Sequence, residues 1–472
     1  MTSVESHNAP RDDGARPKRR SGMGRGLGAA ACIIVGVYLL LSPTYALLNF
    51  AAYASEAPHF LRYVAIPVLI AVGFLGTAIF ASANVAMIVG SCGLSALAAL
   101  FLFEALLTMQ SVPVRMGMLG QLTAEQRGML ENANLVRGFT LRRLNHLSDN
   151  EQLNQSILSG FPGTRVVLCA PEENLITYTA DRYGFNNPDE IYKSRVDVVL
   201  LGDSFIEGFC LPRGQDLASR LRSRGVAAAG FGIRGNGPIA ELATLGRFGP
   251  ILHPRHAVMA FFAGNDWENL EAERNDAWLA GALRPEADYG NPVSAAASLK
   301  RARTALQQQV DTERINAVDL LTETSVLRNF VALQQTLTRL GLVYPKISEP
   351  LPEFRETLRR AKAVAESWGG TFTLVYIPRI DRYMGALSSN FAFDQLRDLV
   401  LEAAKAESID VIDLHLSLRQ QKDPASMYAA DGHFSRAGAE LAAQVIADHL
   451  KAAEKSARAD ESKATPHTGY DD

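Results

Sequence analysis

Val196-Asp197-Val198-Val199-Leu200-Leu201-Gly202-Asp203-Ser204-Phe205-Ile206-Glu207-Gly208-Phe209 is the stretch whose reading decides the fold. From Val198 to Leu201 it is a run of β-branched residues and leucine, the pattern of a buried strand. The run ends in Gly202-Asp203 and delivers Ser204 at the strand's carboxyl end, with a turn or helix to follow. In open α/β sheets that edge is where ligands and reacting groups collect. A hydroxyl there serves as a nucleophile when a base and oxyanion donors arrive from elsewhere. Gly, Asp and Ser are also common turn residues, so the triplet alone does not separate a nucleophile from a turn. Its partners decide.

Downstream the pattern alternates. A helix-like segment, Asp216–Arg224, precedes a small-residue strand at Val226–Phe231. Gly235-Asn236-Gly237-Pro238 then leads into a helix with proline in its first turn, where a missing amide costs little. Ala257–Phe262, Thr371–Ile377 and Ile409–Leu414 read as further strands, and a last helix runs from about Ser435 to Lys451. Strands alternating with helices predict a parallel sheet covered on both faces. Upstream, Arg165–Cys169 reads as a short strand and Thr179–Pro188 as a turn-rich bridge, while 110–165 reads as a polar, helix-prone connector. A long insertion follows Asn265, about 267–350, in which Val318–Leu342 carries apolar residues at helical spacing.

Ser204 needs a base. Among the histidines, His433 lies in Asp431-Gly432-His433-Phe434-Ser435, a turn just before the last helix. Asp431 can hold the imidazole tautomer while the other ring nitrogen takes the serine proton. Gly235, after the second strand, offers a backbone N–H, and Asn265, in Ala263-Gly264-Asn265-Asp266 at the end of the third, offers a side-chain amide. All of these fall at carboxyl ends of strands or in the loop before the final helix, on one edge of one sheet.

Taken together, Gly202-Asp203-Ser204, Gly235, Gly264-Asn265-Asp266 and Asp431/His433, in that order, resemble the four signature blocks of the SGNH, or GDSL, hydrolase superfamily over roughly residues 195–450. The resemblance implies a flavodoxin-like three-layer α/β sandwich and ester hydrolysis or acyl transfer through an acyl-serine. It implies Ser204 as nucleophile, His433 as acid–base group and Asp431 as its orienting carboxylate. It implies the Ser204 and Gly235 N–H groups and the Asn265 amide as oxyanion donors. Asp203 and Asp266 are expected to fix loops. The sequence departs from the pattern at the acid block, where many members have Asp-x-x-His: position 430 is Ala and the spacing here is Asp-x-His. The glycine block holds both Gly235 and Gly237; position after the strand selects Gly235.

The first hundred or so residues differ from the rest. The tail 1–25 carries Arg11, Arg16, Lys18, Arg19, Arg20 and Arg25 against Glu5, Asp12 and Asp13. Leu27–Phe50 is an uncharged apolar run long enough for a full membrane span of about 20 residues and longer than the core of a cleaved signal peptide. After Glu56, His59 and Arg62, the uncharged stretch Tyr63–Phe103 predicts two more spans, near Val64–Ala81 and Val85–Leu107, turning at Ser82-Ala83-Asn84. The expected organisation is therefore a basic cytoplasmic tail (1–25), a membrane domain (26–108), a connector (109–195), a catalytic domain (196–452) and a disordered charged tail (453–472). The positive-inside rule and an odd number of spans put the catalytic domain outside the cytoplasm of a bacterial inner membrane, facing the periplasm or exterior.

With 47 basic against 50 acidic residues the 472-residue chain is nearly neutral, so nothing argues for a nucleic-acid partner. Gly230-Phe231-Gly232-Ile233-Arg234-Gly235 matches a dinucleotide fingerprint, but the acid needed about 20 residues on is absent, and no cofactor is expected. No histidine pair has metal-ligand spacing, and no metal is expected. Cys32 and Cys92 fall in predicted spans; Cys169 and Cys210 flank the nucleophile strand and can pair in an oxidising compartment. The expected function is a membrane-anchored serine esterase or acyl-transfer enzyme acting on an acylated glycan or lipid of the cell envelope. A non-catalytic envelope module that binds an acylated polymer is the alternative, though a binding module needs none of Ser204, His433 and Asn265.

Overall fold

The structure, a computed structural model, describes residues 19–118, 135–170, 175–309, 317–387 and 390–464. Most of the basic tail lies outside them. The chain divides into two units, Met1–Ala105 and Leu106–Asp472.

In the first part of the chain, Gly24–Leu48, Ala57–Phe80 and Ala83–Val112 are helical stretches long and apolar enough to cross a membrane. Their mean hydropathies are 2.0, 2.2 and 2.2, yet only 33, 17 and 11% of their most apolar windows is buried. Residues such as Leu69, Phe80 and Leu102 stand exposed, as a lipid-facing surface requires. The second span begins at Ala57 rather than near Val64, running through His59 and Arg62 by way of a π-helical turn, Leu61–Ala65. Pro67 has no N–H to give the carbonyl of Tyr63, and Ser42 Oγ donates to that oxygen at 3.1 Å instead. Glu104 lies inside the third span and is fully buried.

The second unit contains two sheets. Strands β1 (Leu135–Val136), β2 (Arg165–Cys169) and β3 (Ile176–Thr179) form the smaller one, with β1 parallel and β3 antiparallel to β2. Strands β4 (Val198–Gly202), β5 (Ala228–Gly232), β6 (His256–Phe262), β7 (Thr371–Ile377) and β8 (Asp410–Asp413) form a fully parallel sheet in the order β5-β4-β6-β7-β8. This is the flavodoxin-like 2-1-3-4-5 order, whose direction of winding reverses between β4 and β6.

Period-2 alternation sends neighbouring residues to opposite faces. Val199, Leu201, Ala257, Met259, Leu374 and Tyr376 pack with the helices Pro238–Leu252, Pro352–Glu366 and Asp394–Ala406. Val198, Leu200, Val258, Ala260, Val375 and Ile412 pack with Leu217–Ser223, Leu414–Leu418 and the final helix. Helix, sheet and helix make three layers.

Three segments differ from expectation. The connector is not polar throughout where it is described: Phe139, Leu141, Leu144, Ile157 and Phe161 join the main core. The polar residues between them masked that apolar set; residues 119–134 lie outside the described residues. Val318–Leu342 forms three short helices, Ala317–Thr322, Thr324–Val331 and Gln334–Leu340, rather than one. Leu333 separates the last two in the left-handed conformation (φ 52°), which a continuous helix does not accommodate. The final helix continues to Ala464; 465–472 lie outside the described residues.

Candidate active site

The strand β4 ends at Gly202, where a Cβ would run into Ile206 and glycine is required. Asp203 then caps a single helical turn, Ser204–Glu207, its Oδ1 accepting the Phe205 N–H at 2.9 Å. The turn closes at Gly208 in the left-handed region (φ 79°), where a Cβ would also stand 2.5 Å from that of Asp216. Only glycine fits both demands. This geometry holds Ser204 at the sheet's carboxyl edge, 7% exposed. Asp203 is buried beneath it; burial pushes its carboxyl up, while the Phe205 amide and the neighbouring His433, Ser204 and Asn265 pull it back.

His433 arrives from the loop before the last helix. Tyr428 and Phe434 form an isolated antiparallel bridge, Ala429 donates its N–H to the His433 carbonyl at 2.8 Å, and Gly432 turns the chain with φ 86°. Thus fixed, His433 Nε2 lies 2.8 Å from Ser204 Oγ. On the other side of the ring, Nδ1 is 3.5 Å from Asp431 Oδ1. That contact is longer than an aligned hydrogen bond, and the same oxygen accepts the His433 backbone N–H at 3.0 Å. Asp431 therefore holds the loop through the His433 backbone and sets its carboxylate beside the ring. Burial alone would raise the Asp431 carboxyl, but His433 beside it and the backbone amide bring it below its ordinary value. The rings of Phe205 and Phe209 flank the imidazole at centroid distances of 5.2 and 4.5 Å.

Gly235 follows β5, Ser204 follows β4 and Asn265 follows β6, so the three come from adjacent strands with Ser204 in the middle. Gly235 has φ 73°, and among the described residues neither its N–H nor that of Ser204 is committed to an acceptor. The Asn265 amide lies close enough to Asp203 to favour that carboxylate's charge. The Asn265 carbonyl takes the Asn269 N–H at 2.8 Å, and Asp266 Oδ2 takes the Phe262 N–H at 2.6 Å, closing the loop. Glu273 anchors the glycine loop from below, accepting the Gly237 and Ile239 N–H groups at 2.6 and 3.0 Å. Its carboxyl is pushed up to about 8 by burial despite those donors. Among the described residues no cluster of His, Cys, Asp or Glu is arranged to hold a metal ion.

Cys169, at the end of β2, is bonded to Cys210, just beyond the Ser204–Glu207 turn, with Cα atoms 5.4 Å apart. Sequence reasoning missed a second tie there. Arg234 Nε and Nη2 donate to Glu207 Oε2 and Oε1, each at 2.9 Å, while Nη1 donates to the Leu168 carbonyl at 2.9 Å. Tyr178 also donates to Glu207, at 3.3 Å. The pair lies at the end of the Ser204–Glu207 turn, with Glu207 1% exposed. A glutamate inside an otherwise apolar stretch, and an arginine beside Gly235, were the available signals. The turn-rich bridge contributes as well: Asn186 Nδ2 donates to the Glu207 carbonyl at 2.8 Å, and Asn187 bonds the Gly230 backbone on both sides at 2.9 Å.

Among curated proteins, none matches the chain. A crystal structure of the lipase/acylhydrolase from Enterococcus faecalis is similar at 18% identity, with 54% of this chain and 95% of that chain covered and a TM-score of 0.30. The family model for GDSL-like lipase/acylhydrolases matches residues 200–441, a span that opens in β4, takes in Ser204, Gly235, Asn265, Asp431 and His433, and ends in the first turns of the final helix. By that match the chain belongs to the GDSL-like lipase/acylhydrolase family.

Proposed function

We propose that this chain is a membrane-anchored serine esterase or acyl-transfer enzyme that acts on an ester of a cell-envelope glycan or lipid. The observation that carries the reading is the 2.8 Å approach of His433 Nε2 to Ser204 Oγ, a nucleophile and base already within hydrogen-bond reach. In the proposed reaction Ser204 Oγ attacks the ester carbonyl as its proton passes to Nε2. Negative charge develops on the carbonyl oxygen, where the Ser204 and Gly235 N–H groups and the Asn265 amide meet it. Collapse of the tetrahedral intermediate expels the alcohol, protonated by His433, and leaves an acyl-serine. Water then completes hydrolysis, or a second hydroxyl completes transfer, with His433 as base again. Asp431 holds the imidazole and stabilises its charged form.

The envelope substrate follows from topology. Three apolar spans and a basic amino-terminal tail retain the tail in the cytoplasm and export the catalytic unit across a bacterial inner membrane. There it meets surface polymers and lipids, not cytosolic thioesters. The Cys169–Cys210 bond fits an oxidising compartment. The test has two arms. Purified full-length protein should hydrolyse a short-chain aryl ester, and Ser204→Ala should abolish this without unfolding the domain. Alkaline phosphatase fused after Lys455 should be active, whereas a fluorescent protein that matures only in the cytosol should stay dark. An active Ser204→Ala enzyme would reject the chemistry; the reverse reporter pattern would reject the location.

A further inference from the structure

On the same carboxyl edge of the parallel sheet, beyond the ends of β7 and β8, lies an open cleft of about 510 Å³. Its walls include Arg382, Arg397 and Arg419, with Tyr383, His415 and Asp394. Arg382 is paired with Asp394 and gives Nη1 to the Phe393 carbonyl at 3.2 Å. Arg397 is paired with Asp413, Nε at 2.8 Å and Nη2 at 2.5 Å. Arg419, exposed at the rim, has no carboxylate partner among the described residues. Arg397 Nη1 also lies 3.4 Å from the exposed Asp398, but of these three carboxylates only Asp394 lines the cleft; Asp413, 7% exposed, and Asp398 lie outside its walls. Arg382, 6% exposed, also has an Nε–H with no acceptor among the described residues, so its guanidinium is short of partners. His415 adds no negative charge; it meets the Tyr383 hydroxyl at 2.9 Å, and burial with the nearby Arg382 pushes its imidazole down to about 4. The walls of the cleft thus present three guanidinium groups and one carboxylate, and an anion there would meet Arg419 and the Arg382 N–H that lacks an acceptor among the described residues.

The cleft adjoins the reacting groups. Pro378 to Tyr383 follows directly on β7, whose Ile377 carbonyl accepts the N–H of Ala263 at 2.9 Å, two residues before Asn265. On its inner side Ile380 lies under Gly432, 3.8 Å from where a Cβ would stand, between Asp431 and His433. Tyr383 meets the Tyr428 ring at 6.2 Å, and Tyr428 meets Phe434 at 5.6 Å. The turn that walls the cleft is thus packed against the loop that carries His433. With strands about 4.8 Å apart, the end of β8 is roughly 14 Å from the end of β4 along the edge. That distance suits a polymer lying across the edge better than one small ester.

We propose that this cleft is a substrate subsite for an anionic group, a carboxylate or phosphate borne by the polymer whose acyl ester reacts at Ser204. The inference rests on the esterase reading and extends it to a class of substrate: acylated acidic glycans. Arg419 and Arg397 meet the anion at the open side, and Arg382 supplies positive charge from beneath.

The experiment compares full-length protein in detergent on three acetyl esters: an O-acetylated oligouronate, an O-acetylated sugar-phosphate oligomer and an O-acetylated neutral oligosaccharide. The parent should favour one anionic ester over the neutral one by kcat/KM, and which of the two identifies the anion. Arg419→Ala should cut that preference by about tenfold or more, chiefly through KM, as loss of a charge-assisted contact would; Arg419→Lys should keep most of it. A parent that cleaves all three esters without preference, or a preference untouched by Arg419→Ala, overturns the subsite. Calorimetric binding of the same oligomers, without their acetyl groups, to the parent and to Arg419→Ala separates the two claims. Binding that Arg419→Ala weakens, in a protein that cleaves no ester, sustains the subsite and rejects the esterase. Ester cleavage without such binding does the reverse.

Discussion

Replacing Arg234 by Met should loosen the turn that presents Ser204. The substitution keeps much of the aliphatic stem but deletes two charge-assisted hydrogen bonds to Glu207 and one to the Leu168 carbonyl, each at 2.9 Å. Glu207, 1% exposed, would then face burial with only the Tyr178 hydroxyl at 3.3 Å and the backbone N–H of residue 234 at 3.1 Å. Removing one partner of a buried ion pair costs about 3–5 kcal/mol because the other charge is left uncompensated. The two surviving donors put the expected loss at the lower end, about 3 kcal/mol. At roughly 2–4 °C per kcal/mol for a domain of about 150–250 residues, and less for a larger unit, Tm should fall by about 6 °C. Esterase kcat should fall further than the folded fraction does, since Glu207 ends the helical turn that Ser204 begins. Differential scanning fluorimetry read beside aryl-ester turnover measures both effects. The double variant Arg234→Met/Glu207→Gln should recover part of the Tm, because it removes the stranded charge. A Tm for Arg234→Met within about 2 °C of the parent, or a double variant no better than the single, would refute the reasoning.

Asn265→Ala should lower kcat by about 10²–10³-fold with little change in KM, the usual cost of one oxyanion donor; steady-state kinetics on an aryl ester decides it. Replacing Cys169 and Cys210 by Ser should cost about 4 kcal/mol on the chain-entropy estimate for a sequence separation of 41. Non-reducing mass mapping of the parent should find the two joined, and a melt of the variant should show the loss. Glu241→Gln should stabilise the protein increasingly as pH rises. Burial, with Asp203 and Glu273 nearby, holds the Glu241 carboxyl well above its ordinary 4.5, and among the described residues neither of its oxygens has a hydrogen-bond partner. The folded state therefore keeps a proton that the unfolded chain releases, so parental stability falls as pH climbs above that ordinary value. The variant lacks this slope, and the Tm gap between variant and parent should widen from about pH 5 to about pH 8; an equal gap throughout would reject the assignment.

Much of the catalytic unit was legible because its signals are local. The strands are short runs with recognisable ends: β4 and β5 end in glycine, β6 gives way to Ala263-Gly264-Asn265, β8 ends at Asp413, and β7 stops before Pro378, where its residues placed it, at Thr371–Ile377. The expected site residues were legible for the same reason: a strand end, a glycine loop and an Asp-Gly-His turn are contiguous patterns. What the sequence hid depends on distant contacts. The segment Phe139–Phe161 reads as polar until it folds onto the sheet, where its spaced apolar residues enter the core. The Glu207–Arg234 pair is invisible as a pair because the two are joined by a turn, a helix and a strand, and only strand order brings them together. Helix breaks at Leu333, and the span that runs through Arg62, likewise follow from tertiary packing and from a proline's missing donor rather than from residue periodicity.

The central claim is that Ser204 is a nucleophile activated by His433. Incubating the full-length protein with a fluorophosphonate probe and mapping the adduct by peptide mass spectrometry tests it most directly. The account predicts one covalent adduct, on Ser204, absent in Ser204→Ala and strongly reduced in His433→Ala while both variants keep the parental melt. An adduct on another residue, or labelling of Ser204 that is indifferent to the loss of His433, would contradict it.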